Sequence, residues 1–425
     1  MDEDIGHRTL LVRSVMSTAL RGGGAVLVLG FNVLAARYSG ADSYGSFAFA
    51  FAIISIGTVV ARLGLETVVL RDVARHDDRS DWTSASGVIG RSSAVVAVAS
   101  AAIAVGLIAF AAPIATLLEG GDRTETALRV MAAGLVPFSL LTLLGEALKA
   151  LHRWVLGVVV QSIVPPIIAL AVLLTVSRNA AGIASAYVSG LLVGVLVAAV
   201  CVGRAIPLGR GTPVSLRDLL RAGRPLLWVS SLGLLLTMTD TIILGMFEPA
   251  QTVGQYSAAV RLAMLSALIQ GATGGVLGPR MAVLWSRGEG AALHDLFRRS
   301  SVVMTMVGAA VGVVLVLLGG PMLEVFGTGF SRAWPALAIL GVGQFVVLAT
   351  GPAGRVLVMS GHATLQARAT SIATVGNVAL NLLLIPPFGM VGAAVATSAA
   401  LTVKNGVTTY YARHIVSVAG SSQVR

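Results

Sequence analysis

SYGSFAFAFAIISIGTVVARLGLETVVLR, residues 43 to 71, is an almost unbroken apolar run with Arg62 and Glu66 set inside it. At 1.5 Å per residue, about 20 residues cross a bilayer core of roughly 30 Å, so the run spans a membrane with a turn or more to spare. Its two opposite charges each cost roughly 2.5 to 3.5 kcal/mol at mid-membrane on insertion scales. Charges retained against that penalty point to a role, and the rest of the chain bears on what the role is.

Composition sets the class. Of 425 residues, 56% are hydrophobic and only 12% are charged, against roughly 25% charged in a soluble globule. The chain reads as an all-α, polytopic membrane protein. Its net charge of +11 would suit nucleic acid in a soluble protein, but in a membrane protein an Arg excess belongs to cytosolic loops facing anionic lipid, so no nucleic-acid partner is expected. The opening MDEDIGHRTL is acidic and polar and Arg21 lies in the first span, so a cleaved leader is not expected. Cys201 is alone, and His7, His76, His152, His294, His362 and His414 show no ligand spacing; neither a metal nor a cofactor is expected.

Hydropathy and turn signals mark about twelve spans, near 14–36, 44–71, 88–112, 127–150, 154–176, 182–203, 225–247, 254–284, 301–319, 333–359, 364–386 and 389–411. Ser39-Gly40, Gly120-Gly121, Gly319-Gly320-Pro321 and Pro386-Pro387 punctuate them. The long polar connection at the midpoint suggests a lobe at 1–203, a cytosolic linker at 204–224 and a second lobe at 225–425. With the amino terminus in the cytosol, Arg71, Arg75, Arg79, Arg91, Arg204, Arg210, Arg217, Arg221, Arg224, Arg298 and Arg299 fall on the cytosolic side. Only Arg37, Arg123, Arg129, Arg178 and Arg332 oppose them. That bias places both termini in the cytosol. Trp154, Trp228, Trp285 and Trp334 lie near span ends, as an interfacial belt requires.

A shift of about 209 residues lays Gly45 on Gly254, Phe47 on Tyr256, Arg71 on Arg280, Gly134 on Gly343, Gly145 on Gly354 and Ser162 on Ser371. Six spans per half gives both halves the same topology, hence parallel repeats about an axis along the membrane normal, the arrangement in which a transporter puts its path between halves.

Five cations lie within spans, Arg21, Arg62, Arg261, Arg355 and Lys404, with Lys149 at a span end; the acids are Glu66, Glu146 and Asp240. Arg21 and Arg62 have similar depths from the cytosolic side, and Asn32 falls on the helical face of Arg21. Two readings of Arg62 and Glu66 stay open: an i, i+4 pair that neutralises itself, or a carboxylate that holds Arg62 until a substrate phosphate competes for it. Asp240 and Arg261, at matching depth on adjacent spans, read as a structural salt bridge or as a gated or cation-coupling pair. Thr370, Thr374, Asn377 and Asn381 make a polar helical face, either glue between helices or the lining of a hydrated cavity. Ser215–Asp218 and Ala291–Arg299 begin amphipathic pieces expected on the inner leaflet.

The segments 30–75, 240–263 and 377–397, with their Tyr-Gly turn, the Asp opening a span, the Y-x-x-A-x-R-L element and N-x-x-x-N before P-x-x-G-x-x-G-A-A, resemble the Wzx-type oligosaccharide flippases of polysaccharide biosynthesis. Their superfamily also holds the MurJ-type lipid II flippases and the multidrug and toxin extrusion antiporters. The resemblance implies a two-lobed bundle around a central cavity opening alternately to each side, and a non-enzymatic flippase that moves polyprenyl-pyrophosphate-linked glycan to the outer leaflet of the bacterial inner membrane.

It implies further that Arg21, Arg62 and Arg261 are cavity arginines. Arg355 and Lys404 are added as cavity cations, Asn32, Asn377 and Asn381 as polar lining, and Asp240, Glu66 and Glu146 as coupling or gating acids. A monomer is expected, with membrane lipid and other polysaccharide-assembly proteins, such as a glycan polymerase, as partners. The alternatives are a drug or cation antiporter of the same fold and a membrane glycan polymerase or ligase; the latter is disfavoured by the short outer loops.

Overall fold

The computed structural model describes residues 2–77, 81–116, 121–206 and 215–421, and among them all regular structure is helical. In chain order the helices are α1 (Asp2–Arg62), α2 (Leu65–Asp77), α3 (Trp82–Ala109), α4 (Ala111–Thr116), α5 (Gly121–Ala133), α6 (Leu135–Ala150), α7 (Trp154–Ser162), α8 (Val164–Leu173), α9 (Ala180–Gly203) and α10 (Leu216–Phe247). There follow α11 (Ala250–Ala263), α12 (Ser266–Ser286), α13 (Gly290–Leu317), α14 (Gly319–Glu324), α15 (Trp334–Ala349), α16 (Gly351–Met359) and α17 (Ala363–Ser421). Ten stretches among the described residues are long and apolar enough to cross a bilayer. Their outer faces carry bare Val98, Val105, Leu196, Leu317, Val375 and Leu383. Water would drive such side chains inward, whereas hydrocarbon leaves them where they are. The protein is a multi-pass membrane protein.

Two of the longest helices are hairpins. In α1, Tyr44 Oη donates to Asn32 Oδ1 at 2.9 Å; on a continuous helix twelve residues would separate them by about 18 Å. The chain doubles back at Gly40, whose φ of 76° and ψ of 170° lie outside the helical region, a conformation that glycine adopts without a Cβ penalty. In α17, Asn377 Nδ2 donates to Thr397 Oγ1 at 3.4 Å, across a residue spacing that would span about 30 Å of straight helix. The reversal there is at Gly389 (φ 52°). Pro386 and Pro387, expected to mark the turn, stay within the helix, because the residue able to take a positive φ is the glycine that follows them. Two hairpins among ten stretches leave room for about twelve crossings, and that number stands as a proposal.

Several spans are interrupted partway. Residues 44–71, read from sequence as one span, are broken at Leu63 (φ 53°) and Gly64 (φ 75°), between the charged residues. The α5–α6 span breaks at Gly134, α7–α8 at Ile163 with a proline in the first turn beyond it, α11–α12 at Met264–Leu265, and α15–α16 at Thr350, again followed by proline. Proline removes a donor from the helical ladder and favours such breaks. Discontinuous helices are where transporters expose backbone and side chains to a bound substrate. The amphipathic pieces at Ser215–Asp218 and Ala291–Arg299 are the first turns of α10 and α13.

By packing, the chain forms two compact units, Leu20–Gly254 and a second made of Gln255–Arg425 with Met1–Ala19. The first is built around Leu65, Val69, Ile89, Leu143, Leu148, Leu191 and Leu219, joining α2, α3, α6, α9 and α10. Within it α1 crosses the start of α11 at Gly45 and Gly254 with no side chain between the backbones. The second has a core of Met281, Leu293, Phe297, Val356, Leu357 and Val416. The lobe boundaries expected at 1–203 and 225–425 concern span topology and stand as a proposal; by packing, α10 belongs with the first unit. Gly120, Arg79 and Arg210 lie outside the described residues.

Candidate functional site

The first unit holds a cluster of charges inside its helical core. Arg62 ends α1, and its Nε donates to the Thr58 carbonyl at 3.2 Å. Because of the break at Leu63–Gly64, Glu66 opens α2 instead of following Arg62 on one helix. An i, i+4 pair in the ordinary sense is therefore absent: Glu66 acts on Arg62 electrostatically, together with Glu146 of α6. No acid accepts a hydrogen bond from Arg62 among the described residues. Glu66 Oε2 is buried without a hydrogen-bond partner.

Glu146 has closer partners. Its Oε1 accepts from Lys149 Nζ at 2.6 Å and from Gln161 Nε2 at 3.3 Å, and Gln161 Nε2 also donates to the Thr142 carbonyl at 2.9 Å. Lys149 is buried, its side chain 8% exposed. A buried ion pair needs this second donor, because one Coulombic contact does not recover the desolvation of two charges. At the end of the same helices His152 Nδ1 lies 2.8 Å from Asp77 Oδ2. Gln161 and the Asp77–His152 pair escape sequence reasoning, since each closes a contact between segments far apart in the chain.

Arg21 is exposed and lies 5.5 Å over the Trp154 ring, a cation–π contact at a span end. Asn32 is buried, donating to the Val28 carbonyl at 2.6 Å while accepting from Tyr44; both ends of its amide are engaged in locking the α1 hairpin. Beside it Phe31, Phe47, Phe51, Phe138 and Tyr187 form an aromatic cluster with ring centroids 5.5 to 6.4 Å apart. Asp240 of α10 is buried, and its Oδ1 accepts from the Thr241 N–H at 2.7 Å. It belongs to the first unit.

Arg261, at the end of α11, belongs to the second unit. There Arg355 Nη2 donates to the Gln270 carbonyl, and Gln270 Nε2 in turn to the Val347 carbonyl at 2.8 Å. Asn377 and Asn381 are fully buried; Asn381 Nδ2 donates to Asn377 Oδ1 at 3.1 Å and Asn377 to Thr397, a ladder binding the two arms of α17. Lys404 is half-buried on the second arm. The structure thus brings Arg62, Glu66 and Glu146 together in one unit, with Lys149; Arg261, Arg355 and Lys404 belong to the other unit.

A family model for polysaccharide biosynthesis proteins matches residues 11–285, well over half of the chain and all of this charged cluster. The chain belongs to that family. Two curated relatives come from the archaeon Haloferax volcanii. One, a probable low-salt glycan biosynthesis flippase, Agl15, is 32% identical over 192 residues, 45% of this polysaccharide biosynthesis protein and 41% of the relative. The other, the probable flippase AglR, is 30% identical over 166 residues, 38% and 35% of the two chains. The chain thus spans less than half the length of either relative.

Among solved structures, an inward-facing MATE-family multidrug resistance transporter of the MOP superfamily superposes with a TM-score of 0.80 at 15% identity, covering 95% of this chain and 98% of the other. The lipid II flippase MurJ, in an inward closed conformation, gives 0.74 at 15% identity, covering 94% and 87%. At that identity the likeness is one of fold. This polysaccharide biosynthesis protein shares the all-helical fold of these transporters.

Proposed function

We propose that the protein is a flippase that moves a polyprenyl-pyrophosphate-linked oligosaccharide from the inner to the outer leaflet of the cytoplasmic membrane by alternating access, for cell-surface glycan assembly. The observation that carries the reading is Arg62. It is a permanent cation inside the helical core, beside two carboxylates that accept no hydrogen bond from it, with a backbone carbonyl as its acceptor. Its terminal nitrogens have no hydrogen-bond partner among the described residues. A pyrophosphate carrying about two negative charges cannot cross roughly 30 Å of hydrocarbon unscreened, and guanidinium offers it paired donors whose charge no pH removes. The glycan relatives support the cargo class, and translocation needs no bond chemistry.

In this reading Glu66 and Glu146 hold the Arg62 charge in balance when no anion is present. The same two acids and the buried Asp240 are the candidates for a coupled cation, and Arg21, Arg261, Arg355 and Lys404 for further contacts with the phosphates. The test is Arg62→Ala and Arg62→Lys in cells making a glycan that depends on this protein. Accumulation of lipid-linked glycan on the inner leaflet is expected in Ala and, to a lesser degree, in Lys, with normal amounts of protein in the membrane. Undiminished export in both variants refutes the role of Arg62, and energy-dependent dye extrusion without glycan export would assign the chain to the drug antiporters of its superfamily.

A further inference from the structure

In the second unit a groove of about 1040 Å³ runs between the first turns of α13 and the last turns of α17. One end carries His294, Arg298, Arg413 and His414, and farther along the groove the exposed apolar Val302 and Met306 alternate with Ser301 and Thr305. Asp295 is the acid nearest Arg298, at 3.7 Å, but it is engaged by Arg299 at 2.7 Å. Arg413 has no ion-pair partner among the described residues. Thr409, whose Oγ1 is buried with no hydrogen-bond partner, also lines it, and Tyr410 projects beside it, 71% exposed.

Two arginines at one end of a largely apolar trough, next to an exposed aromatic ring, make an amphipathic site with its positive end at the membrane interface. We propose that this groove binds an anionic phospholipid of the cytosolic leaflet, its phosphate between Arg298 and Arg413 and an acyl chain along Val302 and Met306. Charge complementarity selects the head, because basic pockets between membrane helices on that side hold phosphate head groups and guanidinium pairs with phosphate through two donors. The lining holds no Asp, Glu, Asn or Gln, the carboxylates and amides that bond a sugar's paired hydroxyls two at a time, and offers single hydroxyls and imidazoles instead. That favours a membrane phospholipid over a glycan-bearing carrier. The site stands apart from the flippase reading and holds whatever the cargo is.

The probe is phosphatidylglycerol against phosphatidylcholine, added to the full chain in detergent, with bound lipid counted by native mass spectrometry. The intact protein is expected to retain phosphatidylglycerol at least tenfold better. Each arginine contributes about fivefold, the value of one cation near an anionic leaflet, so Arg298→Ala with Arg413→Ala brings the two lipids level. Thr305→Trp, at an exposed position on the groove wall, fills the trough while keeping both arginines, and is expected to lose phosphatidylglycerol even where the double variant is too unstable to read. Equal retention of the two lipids by the intact protein, or retention unchanged in both variants, overturns the proposal. Displacement of phosphatidylglycerol by a prenyl phosphate at far lower concentration overturns it too, because the groove would then belong to the cargo.

Discussion

Gly45 and Gly254 meet in a contact that the chain's internal repeat maps onto itself. A Cβ on Gly45 would run into the Ala250 carbonyl and the Gly254 nitrogen; one on Gly254 would run into the Ala41 carbonyl and the Gly45 nitrogen. The shift that lays Gly45 on Gly254 also lays Ala41 on Ala250. Two equivalent helix starts therefore cross at a local two-fold, close enough that only hydrogen fits between the backbones, as in small-residue helix crossings in membranes.

Overpacking this crossing has a defined cost. Gly45→Ala and Gly254→Ala should each destabilise the protein by about 1 to 3 kcal/mol. Because one separation of the helices relieves both clashes, the double variant should cost clearly less than the sum. Thermal unfolding in detergent, followed by intrinsic fluorescence, reads both. Additive costs would mean that the two glycines do not share a crossing.

Lys149 and Glu146 make an asymmetric prediction. Lys149→Ala leaves a carboxylate that is 20% exposed with Gln161 as its remaining direct donor and should cost about 1 to 3 kcal/mol. Replacing both charges, Glu146→Leu with Lys149→Met, should recover most of that stability, as exchanges of buried pairs for apolar groups do. If the double variant is as unstable as the single, the pair is not the source of the loss.

The asparagine ladder of α17 should behave as glue of modest strength. A double-mutant cycle on Asn377 and Thr397, each changed to Ala, is expected to give a coupling of about 0.6 kcal/mol, the mean for hydrogen bonds between membrane helices. Asn381 Oδ1 is buried without a partner, but its Nδ2 donates to the buried Asn377 Oδ1, so Asn381→Leu strands that acceptor and should cost about 1 to 3 kcal/mol. A neutral Asn381→Leu would show that Asn377 does not depend on this donor.

Acid acts at the start of α3. The Asp81 carboxylate is held down to about 2, first by the Ser84 hydroxyl, then by the Ser84 N–H and the Thr83 hydroxyl. Its folded value lies below the ordinary value of about 3.9, so this contribution is fully present above about pH 4 and is lost as the pH falls through about 2. Hydrogen exchange at the first turn of α3, measured between pH 5 and 2, should quicken in the parent beyond the intrinsic rate change. In Asp81→Asn, whose amide oxygen keeps the cap, it should not.

Much of this fold was legible in the chain because hydrocarbon imposes one rule on every span. Apolar length was enough to show an all-helical, multi-span protein, and the glycine at Ser39-Gly40 to mark the first hairpin. The charged residues of the cluster were also legible, since charge inside an apolar run stands out. Their mutual arrangement was not. Whether Glu66 continues the helix of Arg62 depends on Leu63 taking a positive φ, which no side-chain preference of leucine announces. The aromatic contacts of Tyr187 with Phe47, Phe51 and Phe138 join segments whose pairing is set by tertiary packing alone. The Trp154 ring beneath Arg21 is likewise a contact that only tertiary packing supplies.

The reversal at Gly40 has no loop to spare: helix runs into helix through one residue. Inserting or deleting a residue there would turn everything downstream by about 100° of helical phase, carrying Tyr44 away from Asn32 and Gly45 away from Ala250. Length variation among homologous sequences should therefore be absent from residues 32–45, where change can proceed only by substitution. It should collect in the polar connections, where register is not held by a neighbour.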